Sequence, residues 1–353
     1  MKILILALSG NGDALMFTPA LKLLKTQFPE AEIDVLAMFK TVEELYARNP
    51  NVSNVYFHDF LKKNPASSLL KVLQLRFKNY DASINVYPAN RREYNIMSRL
   101  IGAKKRLGHE YNHENDKQLS KLNNLRVLEN DKLHNVEENI RLIKLLKDFK
   151  TPELPPMEIF LKSADETAAD NWFLKNNLLK TDTLVGFHAG TQVLKNHIKR
   201  RWAPEKFAES GKNLQAKFGA KILLFGGPDE YELNESIAQM MGGDVFIVKE
   251  RIMPGAAIMK NCKLFVANDS ALMHFAAALK IPTVAIFAYT NPNYVHPWKT
   301  EYKIVRKDLP CSPCFYYSPK PATCIWTGED EFKCNWMIQP DEVLNACEEL
   351  LRS

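Results

Sequence analysis

The sequence predicts an α/β protein built as two successive parallel-sheet halves. Three observations predict it. The chain has 353 residues, enough for two domains with proper cores. A strand, a glycine turn, a helix and a second strand follow one another at the N-terminus. The same order returns after a polar, proline-rich stretch at Thr151-Pro152-Glu153-Leu154-Pro155-Pro156.

Residues 2–8 form the first apolar run, a buried-strand pattern. Ser9-Gly10-Asn11-Gly12-Asp13 ends it, and apolar residues at helical spacing run from Ala14 to Gln27. Ile33 to Met38 and Tyr80 to Val86 read as further strands, and Val136 to Lys147 as a helix. In the second half, Thr183–Phe187, Lys221–Phe225, Leu264–Ala267 and Pro282–Phe287 read as strands, with a helix over Ala271–Leu279. In such sheets, ligands bind outside the carboxyl ends of the strands.

Composition narrows the function classes. At 46% hydrophobic and 25% charged, the chain is neither disordered nor a disulfide-stapled miniprotein. The net charge of +6 favours anionic ligands or an anionic membrane surface and does not argue for nucleic acid. The N-terminal apolar run lacks a cleavage site, and no stretch reaches the ~20 apolar residues of a membrane span, so a cytoplasmic protein is expected. Glycine is scarce, 14 residues in all, so its clusters carry meaning.

Four strand-end loops hold the candidate chemistry. In Gly10-Asn11-Gly12-Asp13, the glycines admit a ligand close to the backbone, but Leu15 breaks the dinucleotide spacing. Asp13 is either a helix-start carboxylate or a general base facing an incoming hydroxyl. His188-Ala189-Gly190-Thr191 with Lys195, Lys199, Arg200 and Arg201 suits a diphosphate; standing alone it would be a solvated basic loop. Gly226-Gly227-Pro228-Asp229-Glu230 offers acids to ribose hydroxyls. Asn268-Asp269-Ser270 opens a helix whose first amides suit phosphate, and His274 within it reads as a satisfied core histidine. Neither G-x-S-x-G nor Asp-x-Asp occurs, which removes the serine-hydrolase elbow and a common metal-dependent transferase signature.

In this order the four loops resemble glycosyltransferase family 9, the lipopolysaccharide heptosyltransferases. The strongest part is Asn268 to Leu279, similar to the family's Asp-[Ser/Thr]-Gly-x-x-His-x-x-Ala-Ala block. Gly12-Asp13 before Thr18-Pro19-Ala20-Leu21, and Lys199-Arg200-Arg201-Trp202-Ala203-Pro204, are also family-like. The resemblance implies a GT-B fold, two Rossmann-like domains with parallel sheets facing a central cleft. The N-terminal, acceptor-binding domain would span 1–165. The C-terminal, nucleotide-sugar-binding domain would span 166–353, with its final helix packing back on the first.

It also implies an inverting, metal-independent transfer of heptose from ADP-heptose to a lipopolysaccharide core oligosaccharide, with no cofactor required for catalysis. Asp13 would be the base. Thr191, Lys199, Arg200, Glu230, Asp269, Ser270 and His274 would bind the donor. The basic pairs Arg91-Arg92 and Lys104-Lys105-Arg106, otherwise solvated helix faces, would meet the phosphorylated acceptor, with Arg91, Arg92, Lys104 and Arg106 its candidate ligands. The enzyme would work peripherally at the inner membrane, on an anionic surface. Alternatives are another nucleotide sugar, a protein hydroxyl as acceptor, or a non-catalytic sugar-nucleotide binder. The sequence departs from the family pattern in Ala271 for Gly, in Arg200 where a Lys is usual, and in Trp202-Ala203-Pro204 for Trp-Pro.

Cys311-x2-Cys314-x9-Cys324-x9-Cys334 supplies four thiols, a candidate structural zinc or iron site away from the chemistry, although its second pair is spread too widely for a zinc ribbon. Cys262 and Cys347 read as packing residues.

Overall fold

The computed structural model describes residues 1–113, 115–316 and 320–352. It divides into two compact units. The first runs from Met1 to Phe160, and the second comprises Leu161–Tyr316 and the residues from Lys320 on. The division falls after Phe160, slightly ahead of the expected position.

The first unit holds one six-stranded parallel sheet, ordered β3-β2-β1-β4-β5-β6. Its strands are β1 (Lys2–Ala7), β2 (Glu32–Ala37), β3 (Asn54–Phe57), β4 (Ala82–Asn85), β5 (Lys105–Glu110) and β6 (Leu125–Leu128). The central strand β1 aligns Ile5 with Val35 on one side and Ile84 on the other. Its residues Ile3 to Leu8 are all buried, as a strand covered on both faces requires.

The following helix, Asn11–Gln27, starts three residues earlier than the sequence pattern indicated. Gly10 is its extended N-cap and Ala14 N donates to Gly10 O, so Gly12 and Asp13 lie in the first turn and not in a loop. Pro19 sits inside this helix and cannot donate to the Leu15 carbonyl; the Thr18 hydroxyl does so instead, at 2.8 Å. Thr18 Oγ1 also accepts from Glu158 N at 2.9 Å, which pins the end of the first unit's chain to its first helix.

The second unit repeats the plan in the order β12-β11-β10-β7-β8-β9. Its strands are β7 (Leu184–His188), β8 (Lys221–Phe225), β9 (Val245–Val248), β10 (Leu264–Asn268), β11 (Thr283–Ile286) and β12 (Tyr302–Val305). Gly186 lies in β7 where a Cβ would stand 2.5 Å from the Phe265 ring, so the strand can only be packed this way without a side chain there. The last helix, Pro340–Arg352, buries Val343, Ala346, Cys347 and Leu350 in the core of this same unit.

In each sheet the strand order reverses at the centre, between β1 and β4 and between β7 and β10. Loops leaving those strand ends diverge and open a crevice, which is where an open parallel sheet receives a ligand.

Candidate functional site

The second unit gathers its polar residues at that reversal. His188 ends β7, Glu230 follows β8, and Asp269 and Ser270 follow β10. His188 Nδ1 lies 2.7 Å from Ser270 Oγ, and its Nε2 lies 3.1 Å from Glu230 Oε2. A carboxylate only accepts, so a neutral His188 ring carries its proton on Nε2, and Nδ1 accepts from the serine hydroxyl. Glu230 Oε2 also accepts from Gly227 N at 3.0 Å, while Arg201 Nη2 stands 3.7 Å from Oε1. Burial pushes the Glu230 carboxyl up, but His188, the Gly227 amide and Arg201 together outweigh it and hold the group below its ordinary value. Gly190 makes room for this carboxylate: a Cβ there would sit 1.8 Å from Glu230 Oε1.

Arg200 Nη1 donates to Asp269 Oδ2 at 2.7 Å, and the two side chains are only 15% and 8% exposed. Arg200 is therefore the cation turned inward. Lys199 points the other way, to Glu331 at 3.3 Å and over the Phe332 ring, half-exposed. Of the two adjacent cations that could replace the family's lysine, the structure sets Arg200 with Asp269. Thr191 is buried, and its hydroxyl donates to the His197 carbonyl at 2.9 Å and receives Arg201 Nε at 3.3 Å. The hydroxyl thus works within the protein, which leaves the loop's backbone to face a ligand.

His274 is buried as expected, but it is not satisfied: Nδ1 has no hydrogen-bond partner. Burial lowers its pKa to about 4; Asp269 opposes the shift, and His296 and Arg200 add to it. Arg200 Nε is likewise buried without a partner. Unpaired buried polar atoms cost about 1–3 kcal/mol each, and two of them beside Asp269 mark a place for a polar ligand.

In the first unit, Asp13 is half-buried in the first turn of its helix, where the helix dipole favours a carboxylate. Burial raises the hydroxyl pKa values of Tyr46, Tyr94 and Tyr111, and the Asp13 charge adds to the shift in each. Tyr46 and Tyr94 donate to the carbonyls of Ala14 and Leu8 at 2.7 and 2.9 Å, which fixes the turn on both sides of Asp13. Nothing lies within 4 Å of a Cβ built at Gly10, so the approach to this turn is open.

Arg91 and Arg92 begin a helix after β4, at the same sheet edge as Asp13. Lys104 and Arg106 do not join them. They stand where β5 begins, at the opposite edge. Lys104 pairs with Asp81 at 3.0 Å, and Arg106 is held by the carbonyls of Leu122 and Ala103. Adjacent strands in a parallel sheet run the same way, so a strand start and a strand-end loop cannot share a site. His188 and Arg201, read from sequence only as parts of the diphosphate loop and its basic cluster and not named as individual donor ligands, are central to the network.

The C-terminal cysteines line one small pocket, with room for about one water molecule, together with Tyr289, Trp326 and Phe332. Burial, then the neighbouring thiols, push Cys334 up to about 12, and Phe332 N donates to Cys324 Sγ at 3.3 Å. Among the described residues, however, no group of three or more His, Cys, Asp or Glu side chains is placed to hold a metal ion. Nor is the segment remote from the site. Ala322 N donates to Lys195 O, Asn196 Nδ2 donates to Ala322 O, and Tyr289 Oη meets His197 Nδ1 at 3.2 Å, all on the loop that carries Arg200. Cys262 and Cys347 are buried, and burial pushes both thiols up, as packing residues require.

His274 generates a pH prediction. Its folded pKa is depressed, so between about 6.5 and about 4 the unfolded chain takes up a proton that the folded chain refuses. Its contribution to stability is present above that window and is lost as pH falls through it, at a slope of up to about 1.4 kcal/mol per pH unit. Denaturant unfolding of His274→Gln, compared with the unmodified protein from pH 7 to pH 4, is expected to show a shallower fall.

Comparisons with known proteins agree with this arrangement. The sequence profile of "Glycosyltransferase family 9 (heptosyltransferase)" matches residues 70–322. Lipooligosaccharide heptosyltransferase 2 of Campylobacter jejuni is 26% identical over 363 residues, covering 100% of this chain and 99% of that protein. A family 9 glycosyl transferase from Veillonella parvula superposes with a TM-score of 0.80 at 21% identity, over 99% of this chain and 97% of the other. The ADP-heptose lps heptosyltransferase II of E. coli superposes with a TM-score of 0.75 at 22% identity, over 100% and 99% of the two chains. The two parallel sheets are thus those of a GT-B fold, and the chain belongs to glycosyltransferase family 9.

Proposed function

We propose that this protein transfers heptose from ADP-heptose to a lipopolysaccharide core oligosaccharide with inversion at the anomeric carbon. The observation that carries the reading is the preformed set of buried charges after β7, β8 and β10, with its unpaired Arg200 Nε and His274 Nδ1. In this reading Glu230 accepts hydrogen bonds from the ribose hydroxyls. The backbone of the Gly190-Thr191 turn, Arg200 and the amides after Ser270 bind the diphosphate. Asp269 contacts the heptose, and neutral His274 offers a hydrogen bond without adding charge. Lys199, turned to Glu331, contributes long-range positive potential.

Asp13 takes the proton from the acceptor hydroxyl as that oxygen attacks the anomeric carbon. The bond from the anomeric carbon to the phosphate oxygen breaks, and its electron pair leaves on ADP. Negative charge therefore grows on the diphosphate in the transition state, where Arg200 and the helix-start amides are already aimed. Arg91 and Arg92 supply cations for a phosphorylated acceptor at the sheet edge that carries Asp13. No helix among the described residues is long and apolar enough to cross a membrane, which suits an enzyme acting peripherally on the cytoplasmic face of the inner membrane.

Asp13→Asn keeps the shape of the helix turn and removes the base. It is expected to lower heptose transfer by about 10²–10⁴-fold with donor affinity unchanged, measured by product mass and by calorimetric titration of ADP. Unchanged transfer in a folded Asp13→Asn protein would remove the mechanism. For the four-cysteine segment, the shared pocket supports a structural zinc or iron ion, while the side-chain arrangement does not yet gather ligands for one. Elemental analysis of the purified protein decides between them: four titratable thiols without stoichiometric metal is the expected result from this arrangement, and one zinc or iron per chain, lost when Cys314 is replaced by Ser, would establish the metal site. Absence of metal with four titratable thiols would leave the pocket as packing alone.

A further inference from the structure

The β3-to-helix connection of the first unit carries an apolar surface that the fold does not cover. The helix Pro65–Arg76 buries Val72 and Leu75 against its own unit. Leu69, Leu70 and Leu73 nevertheless stand 49%, 61% and 36% exposed, with Leu61 before the helix at 61% and Phe77 after it at 79%. At 3.6 residues per turn, Leu69, Leu70, Leu73 and Phe77 fall within an arc of about 100°. Leu100, whose carbonyl accepts Arg76 Nη1 at 2.9 Å, extends the patch and is itself 42% exposed. An apolar arc of this size left in water is unfavourable without a partner.

The charge around the arc identifies the partner. Residues 60–80 contain Lys62, Lys63, Lys71, Arg76 and Lys78 and no Asp or Glu. Lys71 and Lys78 lie over the Tyr56 ring at 5.4 and 4.9 Å, which holds their stems beside the helix. Asp59, the nearest acid before the segment, is turned into its own loop, accepting from the amides of Leu61 and Lys62. His58, hydrogen-bonded to Ser68, registers the local field: burial and then Lys71 and Lys63 lower its pKa, against Asp59. Leucine and phenylalanine on one face with lysine and arginine beside it is the pattern of a helix lying in a lipid interface. A second protein copy would bring the same five cations against themselves, which disfavours self-association through this face.

We infer that Leu61, Leu69, Leu70, Leu73 and Phe77, with Lys62, Lys63, Lys71, Arg76 and Lys78, form a docking surface for a bilayer bearing anionic headgroups. The inference rests on the reading of the chain as a transferase with a lipid-anchored acceptor. It adds which surface meets the membrane. The loop from β3 into this helix, which carries Leu61, Lys62 and Lys63, opens at the same edge of the parallel sheet as the Asp13 turn, and the helix then runs toward the opposite edge, where Phe77 precedes β4.

Co-sedimentation of the full chain with phosphatidylglycerol-containing or pure phosphatidylcholine vesicles tests it. The unmodified protein is expected to prefer the anionic vesicles by about tenfold or more. The pair Leu70→Glu and Phe77→Glu is expected to lower binding at least about tenfold. Lys62→Gln and Lys63→Gln are expected to lower it about fivefold for each lysine. Leu174→Glu, at an equally exposed leucine of the second unit, is expected to change nothing. All variants should keep the parent Tm and ADP affinity, so a failure of vesicle binding is separable from a failure of the transferase reading. Unaltered vesicle binding by the Leu70/Phe77 variant overturns the proposal. So does a dimer that this variant dissolves without any vesicle binding, because the face would then belong to a second copy.

Discussion

The second unit depends on how it holds two acidic side chains, Asp269 and Glu230, against their partners at the ends of buried parallel strands. Asp269 is only 8% exposed, and desolvation works against the charge of Glu230. Arg200 answers the first, and His188, Arg201 and the Gly227 amide answer the second. Removing one member of such a buried pair typically costs about 3–5 kcal/mol, because the survivor is left uncompensated. The hydrogen bonds of the network orient its polar groups before any ligand meets them.

The remainder of the unit is arranged to support those few contacts. Arg200 and Arg201 lie in a loop with positive φ at Lys195 and Asn196, a conformation that needs outside restraint. The restraint comes from several sides. Asn335 Nδ2 donates to the carbonyls of Lys199 and Arg201, and Trp202 N donates to Asn268 Oδ1 while its ring Nε1 reaches Ile338 O. The cysteine segment holds Lys195 and Asn196 through Ala322. The C-terminal tail, with no catalytic group of its own, sets the loop that carries Arg200.

Strands β1, β7, β8, β10 and β11 were legible because strands covered on both faces read as continuous apolar runs. The strand-end loops were legible for a related reason: glycine and acids stand out after such runs, and Gly190 is required by the Glu230 carboxylate packed against it. Edge strands were not. Asn54–Phe57 and Tyr302–Val305 are short and only partly buried, so neither alternation nor an apolar run marks them. β5, Lys-Arg-Leu-Gly-His-Glu, read as a basic patch because its first two side chains are cations, and only the sheet register shows that they lie at the wrong edge. His274 and Arg200 were identified by motif, but their unpaired nitrogens depend on packing that a linear sequence does not display. The apolar arc from Leu69 to Phe77 has helical spacing like any core face; exposure alone tells it apart.

Calorimetric titration of ADP into the unmodified protein and Glu230→Gln tests the central claim most directly, since the change keeps shape and removes only the charge. A charged hydrogen bond to the ribose predicts a loss of affinity of about tenfold or more in the variant, titrated at a temperature where both proteins are fully folded. Equal affinity for ADP in the two proteins would contradict the assignment of the charged network as the donor site.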